Sequence, residues 1–217
     1  AWLLTAVFYF YQYSMRSAPA VMVPELSTAF GLSAVGVASL VGLFYYGYAP
    51  FSLVAGMAMD QLGPRKVVPL GAASVAIGSF LFSTGDPTMA SIGRFLQGAG
   101  GVFALIGAVF LVTSYMPVAR AATLVGVTQM FGMAGGSAGQ FAVGPLIGGG
   151  LRWDTFWLAM GVIGIVFVLW GWSMSFGSED KLGGLFANPF ELFGLDHVGA
   201  GSYIAVMFQM TFAAITA

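Results

Sequence analysis

The chain has 217 residues, 59% of them hydrophobic and only 7% charged, with a formal charge of -1 and no cysteine. A water-soluble domain carries roughly 25% charged residues, so this composition excludes a chain that covers itself with a solvated surface. The lack of cysteine excludes disulfides, thiolate metal sites and thiol nucleophiles; the formal charge says nothing about nucleic acid, and no basic patch exists for one.

Apolar runs close to the ~20 residues that span a bilayer recur along the chain, without the ~10-residue alternation of a membrane barrel. They predict an all-α, polytopic membrane helix bundle. The first span is read at about 1–23, ended by "VPELSTAFGLS", and the second at about 34–58, ended by the charged loop "GMAMDQLGPRK". The third covers about 67–83 and stops at "STGDPT", where Gly-Asp-Pro breaks a helix. The fourth covers about 90–114, the fifth about 121–147, ended by "GPLIGGGLRWD", and the sixth about 156–176. A polar, glycine-rich connector at 177–199 precedes a seventh apolar run at 200–217. Ala1 falls inside an apolar run with no signal-peptide layout, so residues are expected to precede it.

Placing the N-terminus in the cytoplasm puts Arg65, Lys66, Arg120 and Lys181 in inside loops and Arg152 in an outside one. This is the positive-inside bias of a cytoplasmic membrane protein. Short loops make successive helices antiparallel neighbours. The fifth span carries Gly132–Gly136, Gly135–Gly139 and Gly144–Gly148 at four-residue spacing. Such spacing lets helices approach closely in lipid, as static packing or as a surface on which helices rock.

Two cations fall within predicted helices, Arg16 and Arg94. A charge at the bilayer centre costs ~2.5–3.5 kcal/mol on insertion scales, so it faces a polar interior. Arg16 precedes Pro24 by eight residues, about 12 Å of helix at about 1.5 Å per residue, which sets it near the midplane. Tyr9, Gln12, Tyr13 and Arg16 follow the i, i+3, i+4, i+7 pattern and share a face. A guanidinium flanked by hydroxyl and amide groups suits a carboxylate or phosphate. The alternatives are a structural cation paired with a carbonyl or with Glu25, or one that snorkels outward. Tyr45, Tyr46 and Tyr48 either line a cavity or anchor the interface. None of the eight acids falls inside a predicted span, and without cysteine, a histidine cluster or paired buried carboxylates no catalytic or metal site can be assembled. No cofactor is expected, and the chain is expected not to be an enzyme.

Three stretches carry a resemblance. Gly56, Asp60, Gly63, Arg65 and Lys66 in the loop between the second and third spans, "RFLQGAGG" with Arg94, Gln97, Gly98 and Gly100, and Gly144, Pro145, Gly148 and Gly149 after the fifth span resemble the N-terminal half of a major facilitator superfamily transporter over about 1–176. Gln61 and Gln140 depart from that pattern. "YSMRSAPAVMVPEL" is similar to organic-anion members of the superfamily. The resemblance implies six helices arranged as 3+3 inverted repeats, with a solute site between two halves. It implies a cytoplasmic latch at Gly56, Asp60, Gly63, Arg65 and Lys66, and a structural or coupling role for Arg94 and Gln97. Gly132, Gly136, Gly144, Pro145 and Gly148 are expected to pack helices.

The stretch at about 171–217 resembles the ammonium transporter family instead, most specifically at Phe208, Gln209, Phe212, Ala213, Ile215 and Thr216. That resemblance makes Phe212 gate-like. The leading expectation is secondary active transport of a small anionic organic solute by alternating access, in the bacterial inner membrane. Arg16, Tyr9, Gln12 and Tyr13 would bind the solute, and the missing C-terminal half or a partner subunit would complete the carrier. A membrane module fused to an ammonium transporter or sensor, and a non-transporting structural subunit, are the alternatives.

Overall fold

The computed structural model describes residues 1–176. The connector, the seventh apolar run and Phe212 lie outside the described residues. Helices account for nearly all of the described chain: α1 (Trp2–Ser17), continued by a 3-10 turn (Ala18–Val21), α2 (Val23–Phe30), α3 (Ala34–Leu62), α4 (Pro64–Phe82), α5 (Pro87–Tyr115), α6 (Val118–Phe141), α7 (Val143–Gly148) and α8 (Trp153–Phe176). In lipid every backbone N–H and C=O must be satisfied within its own segment, which is why such apolar runs become helices.

Four of these helices are long and apolar enough to cross a membrane: Ala34–Leu62, Pro64–Phe82, Pro87–Tyr115 and Trp153–Trp172. At 16 residues α1 is short until the 3-10 turn extends it. The 24-residue α6 is diluted by glycine, threonine and glutamine.

The boundaries differ from the sequence reading at three places. Pro24 looks like a stop, yet it sits at the second position of α2, where a missing N–H costs nothing. The stretch "VPELSTAF" is therefore helix, closed by Gly31 in the left-handed region at φ 65. The charged loop at 56–66 also dissolves. Helix α3 runs through Asp60 to Leu62, α4 starts at Pro64, and Gly63 alone joins them at φ 73, ψ 160. That backbone region is essentially open to glycine alone. Finally, the fifth span breaks after Phe141, so Gly144, Pro145 and Gly148 belong to the separate short helix α7.

Helix α5 is the centre of the bundle, packed against α3, α4 and α1, while α1 also packs on α6 and α4 on α8. Its glycines explain how one helix serves three neighbours. A Cβ on Gly98 would collide with the Phe44 carbonyl of α3, one on Gly100 with the Gly71 carbonyl of α4, and one on Gly101 would stand 2.7 Å from Gln12 Cγ of α1. Helices this close gain dispersion contacts along their whole length, the main force joining them in lipid. The α1–α6 seam is built alike, since Cβ atoms on Gly135 and Gly139 would strike the carbonyls of Phe10 and Ser14. Three hydrogen bonds staple it: Trp2 Nε1 to Thr128 Oγ1 at 3.0 Å, Tyr9 Oη to Gln129 Oε1 at 3.1 Å, and Ser17 Oγ to the Gly136 carbonyl at 2.9 Å.

Candidate solute site

Arg94 lies on α5, one turn from Gln97, and both are buried, at 1% and 0% exposure. Its Nη1 donates to Gln97 Oε1 at 2.7 Å and to the Met15 carbonyl at 3.4 Å, and its Nε donates to the Val41 carbonyl at 3.4 Å. Gln97 passes the chain on, donating from Nε2 to Ser79 Oγ at 3.3 Å. The rings of Phe44, Phe82 and Trp157 surround the guanidinium at 5.2, 5.8 and 6.0 Å. These contacts knit α1, α3, α4, α5 and α8 around one cation. In a medium where a bare charge is expensive, cation–π contacts and carbonyl acceptors replace the missing water.

Arg16 lies in the last turn of α1. Because Arg94 reaches the carbonyl of Met15, the residue before Arg16, both cations stand at one level of the bundle. Arg16 is half-buried. Its Nε donates to Tyr45 Oη at 3.2 Å, and its Cζ lies 4.7 Å from the Tyr13 ring centre and 5.0 Å from that of Tyr45. Among the described residues no carboxylate stands within ion-pair distance of either cation, so the Arg16–Glu25 pairing is not formed. Glu25 instead occupies the first turn of α2, with Oε2 buried and unpartnered.

The four residues read as one face divide. Tyr9, Tyr13 and Arg16 form a row, with Tyr9 and Tyr13 edge to face at 5.1 Å. Tyr9 is 2% exposed and spends its hydroxyl on Gln129, and a Cβ on Gly132 would collide with its ring. A Cβ on Gly136 would come 3.3 Å from the Tyr13 ring, a tight contact rather than a collision. Gln12 turns away from the row into the α1–α5 seam beside Gly101, 1% exposed, with both amide atoms unpartnered. The sequence alone does not separate Tyr45 from Tyr46 and Tyr48. The partner of Tyr45 is Arg16, whereas Tyr46 is exposed and Tyr48 stacks on Phe44 at 5.7 Å.

The remaining residues fall outside this cluster. Asp60, Arg65 and Lys66 are exposed on either side of Gly63, and a Cβ on Gly56 would meet nothing within 4 Å. The same is true of Gly148, while one on Gly144 would meet only Val21, at 3.8 Å. The α7 glycines thus stand apart from the seam that Gly132, Gly135, Gly136 and Gly139 make with α1. Arg152 and Asp154 pair at the start of α8 through Nε and Oδ1 at 3.1 Å. That carboxylate holds the exposed Arg152 above its ordinary value by hydrogen bond and charge.

The sequence profile of the Major Facilitator Superfamily matches residues 4–216. This chain belongs to that superfamily. The facilitator match runs through the stretch that resembles the ammonium transporters and lends that second resemblance no support. A relative from Cupriavidus necator, described as "Probable sulfoacetate transporter SauU", is 25% identical over 199 residues, covering 87% of this chain and 44% of that protein. The chain therefore spans less than half the length of this relative.

Proposed function

We propose that residues 1–176 form the N-terminal half of a secondary carrier that moves a small organic anion by alternating access. The observation that carries this reading is the pair of arginines held at one level of the bundle with no carboxylate beside either among the described residues. Two cations in a low-dielectric interior favour an anion strongly, and Arg16 is the one left accessible. Its two Nη groups have no hydrogen-bond partner among the described residues, which leaves a fork suited to an oxyanion. Tyr13 lines the approach, Tyr9 supports Tyr13, and Gln12 joins the site when the α1–α5 seam loosens.

In this reading the N-terminus is cytoplasmic, in a bacterial inner membrane, and six spans form 3+3 inverted repeats. The pairings support the repeat: the first span packs on the fifth, as the fourth packs on the second, each over glycines. A C-terminal half, or a second copy, closes the solute site from the other side, and rocking between halves alternates access. Asp60 supports a latch role through its position. It sits in the last turn of α3, where the helix dipole disfavours an anion by about 0.3–1 kcal/mol. A helix N-terminus presented by the opposite half would reverse that sign.

Sulfoacetate, a short acid with a carboxylate and a sulfonate, is the first anion to test because the Cupriavidus relative is named for it. Proteoliposomes containing the intact protein should accumulate labelled sulfoacetate. Arg16→Ala should slow uptake by about 10- to 100-fold, the range expected for losing charge-assisted hydrogen bonds. Equal uptake by the variant would remove Arg16 from the site.

A further inference from the structure

We propose that Tyr45 is a positioning residue that fixes how Arg16 presents its guanidinium to the solute, an inference that rests on the function proposed above. The Tyr45 hydroxyl accepts the Nε proton of Arg16 at 3.2 Å, while the Arg16 Cζ sits 5.0 Å from the same ring. An arginine can receive an oxyanion side-on, through Nε and one Nη, or end-on, through both Nη groups. With Nε committed to Tyr45, the side-on mode is closed and the end-on fork remains.

Tyr45 is itself held. Its ring meets Phe44 edge to face at 5.6 Å, and Phe44 is 1% exposed and lies under the Arg94 guanidinium at 5.2 Å. A tyrosine on α3 backed by the buried centre of the bundle thus restrains a long side chain on α1. That restraint removes rotamer freedom that Arg16 would otherwise lose on binding. Among the described residues the hydroxyl and the ring act on the same cation, so Tyr45 orients both the fork and its plane. Tyr13, 4.7 Å away, adds a second ring but no hydrogen bond to Arg16.

The test is a double-mutant cycle on the intact, solubilised protein, with sulfoacetate binding measured by calorimetry. Tyr45→Phe keeps the ring and removes the acceptor, and Arg16→Lys keeps the charge and removes Nε. Tyr45→Phe should weaken binding about five-fold with an unchanged melting temperature, as for one hydrogen bond. Arg16→Lys should weaken binding more, and adding Tyr45→Phe to it should change nothing further, because the lysine offers no Nε–H to hold. A merely structural tyrosine would weaken both backgrounds equally. Equal weakening, or full affinity in Tyr45→Phe, overturns the positioning role while leaving the site intact. Wild-type protein that does not bind sulfoacetate, or Arg16→Lys that binds it as well as wild type, overturns the site reading and this inference with it.

Discussion

Arg94 and Arg16 occupy one level of the same bundle and are treated in opposite ways. Arg94 is enclosed by three aromatic rings and spends its donors on two carbonyls and Gln97. Arg16 spends one donor on Tyr45 and keeps the rest of its fork free among the described residues. The first arrangement serves the bundle; in the function proposed above, the second serves an arriving anion. A buried cation, then, is not by itself a ligand site. What separates the two roles is how many of its donors the protein has already used.

Substitutions can break this contrast. Arg94→Ala should cost about 3–5 kcal/mol, in line with emptying a large buried site, and should lower the melting temperature of the solubilised protein sharply. Arg16→Ala should leave that temperature nearly unmoved while slowing anion uptake about 10- to 100-fold. Similar melting losses from both would erase the distinction. Next in size is Gly98→Ala, whose Cβ would collide with the Phe44 carbonyl. Overpacking of this kind costs about 1–3 kcal/mol. By moving Phe44 it should loosen both arginines, seen as lower stability together with weaker sulfoacetate binding. The smallest expected effect is that of Gln12→Leu. It removes two buried, unpartnered amide atoms, so stability should hold or rise by up to about 1 kcal/mol. Transport should slow if the amide is needed once the seam opens, and uptake rates compared with melting temperatures read the two effects separately.

Much of this architecture was legible in the sequence. The long helices follow the apolar runs to within a few residues, because a bilayer-length run has few other ways to satisfy its backbone. The ends were harder. Asp60 and Gln61 read as a loop because they are polar, yet a helix can carry polar residues once it leaves the apolar layer. Pro24 was read as a stop, although proline suits the first turn of a helix as well as the residue past its end. Within the site, the i, i+3, i+4 pattern placed Tyr9, Tyr13 and Arg16 together but could not send Gln12 elsewhere. Helix α1 meets α5, α6 and α8 on different sides, and a single helical wheel does not say which neighbour claims which stripe. The glycines of "RFLQGAGG" were visible as a motif. That Gly98, Gly100 and Gly101 each admit a different helix depends on long-range packing, which no local pattern encodes. Tyr45 was hidden for the same reason, since its partner lies 29 residues away on another helix.

Gly63 is the whole connection between α3 and α4. A link of one residue has no slack, so neither helix can slide along its axis without dragging the other. Helix α4 is in turn pressed backbone to backbone onto α5, with the Gly78 position 2.5 Å from the Gly93 carbonyl when a Cβ is placed there. The hairpin is therefore a tightly tied pair of helices that carries Asp60 on one arm and Arg65 and Lys66 on the other. Were these charges to latch as proposed, a push on them would reach the helix that holds Arg94 with only Gly63 and the tight α4–α5 seam in between.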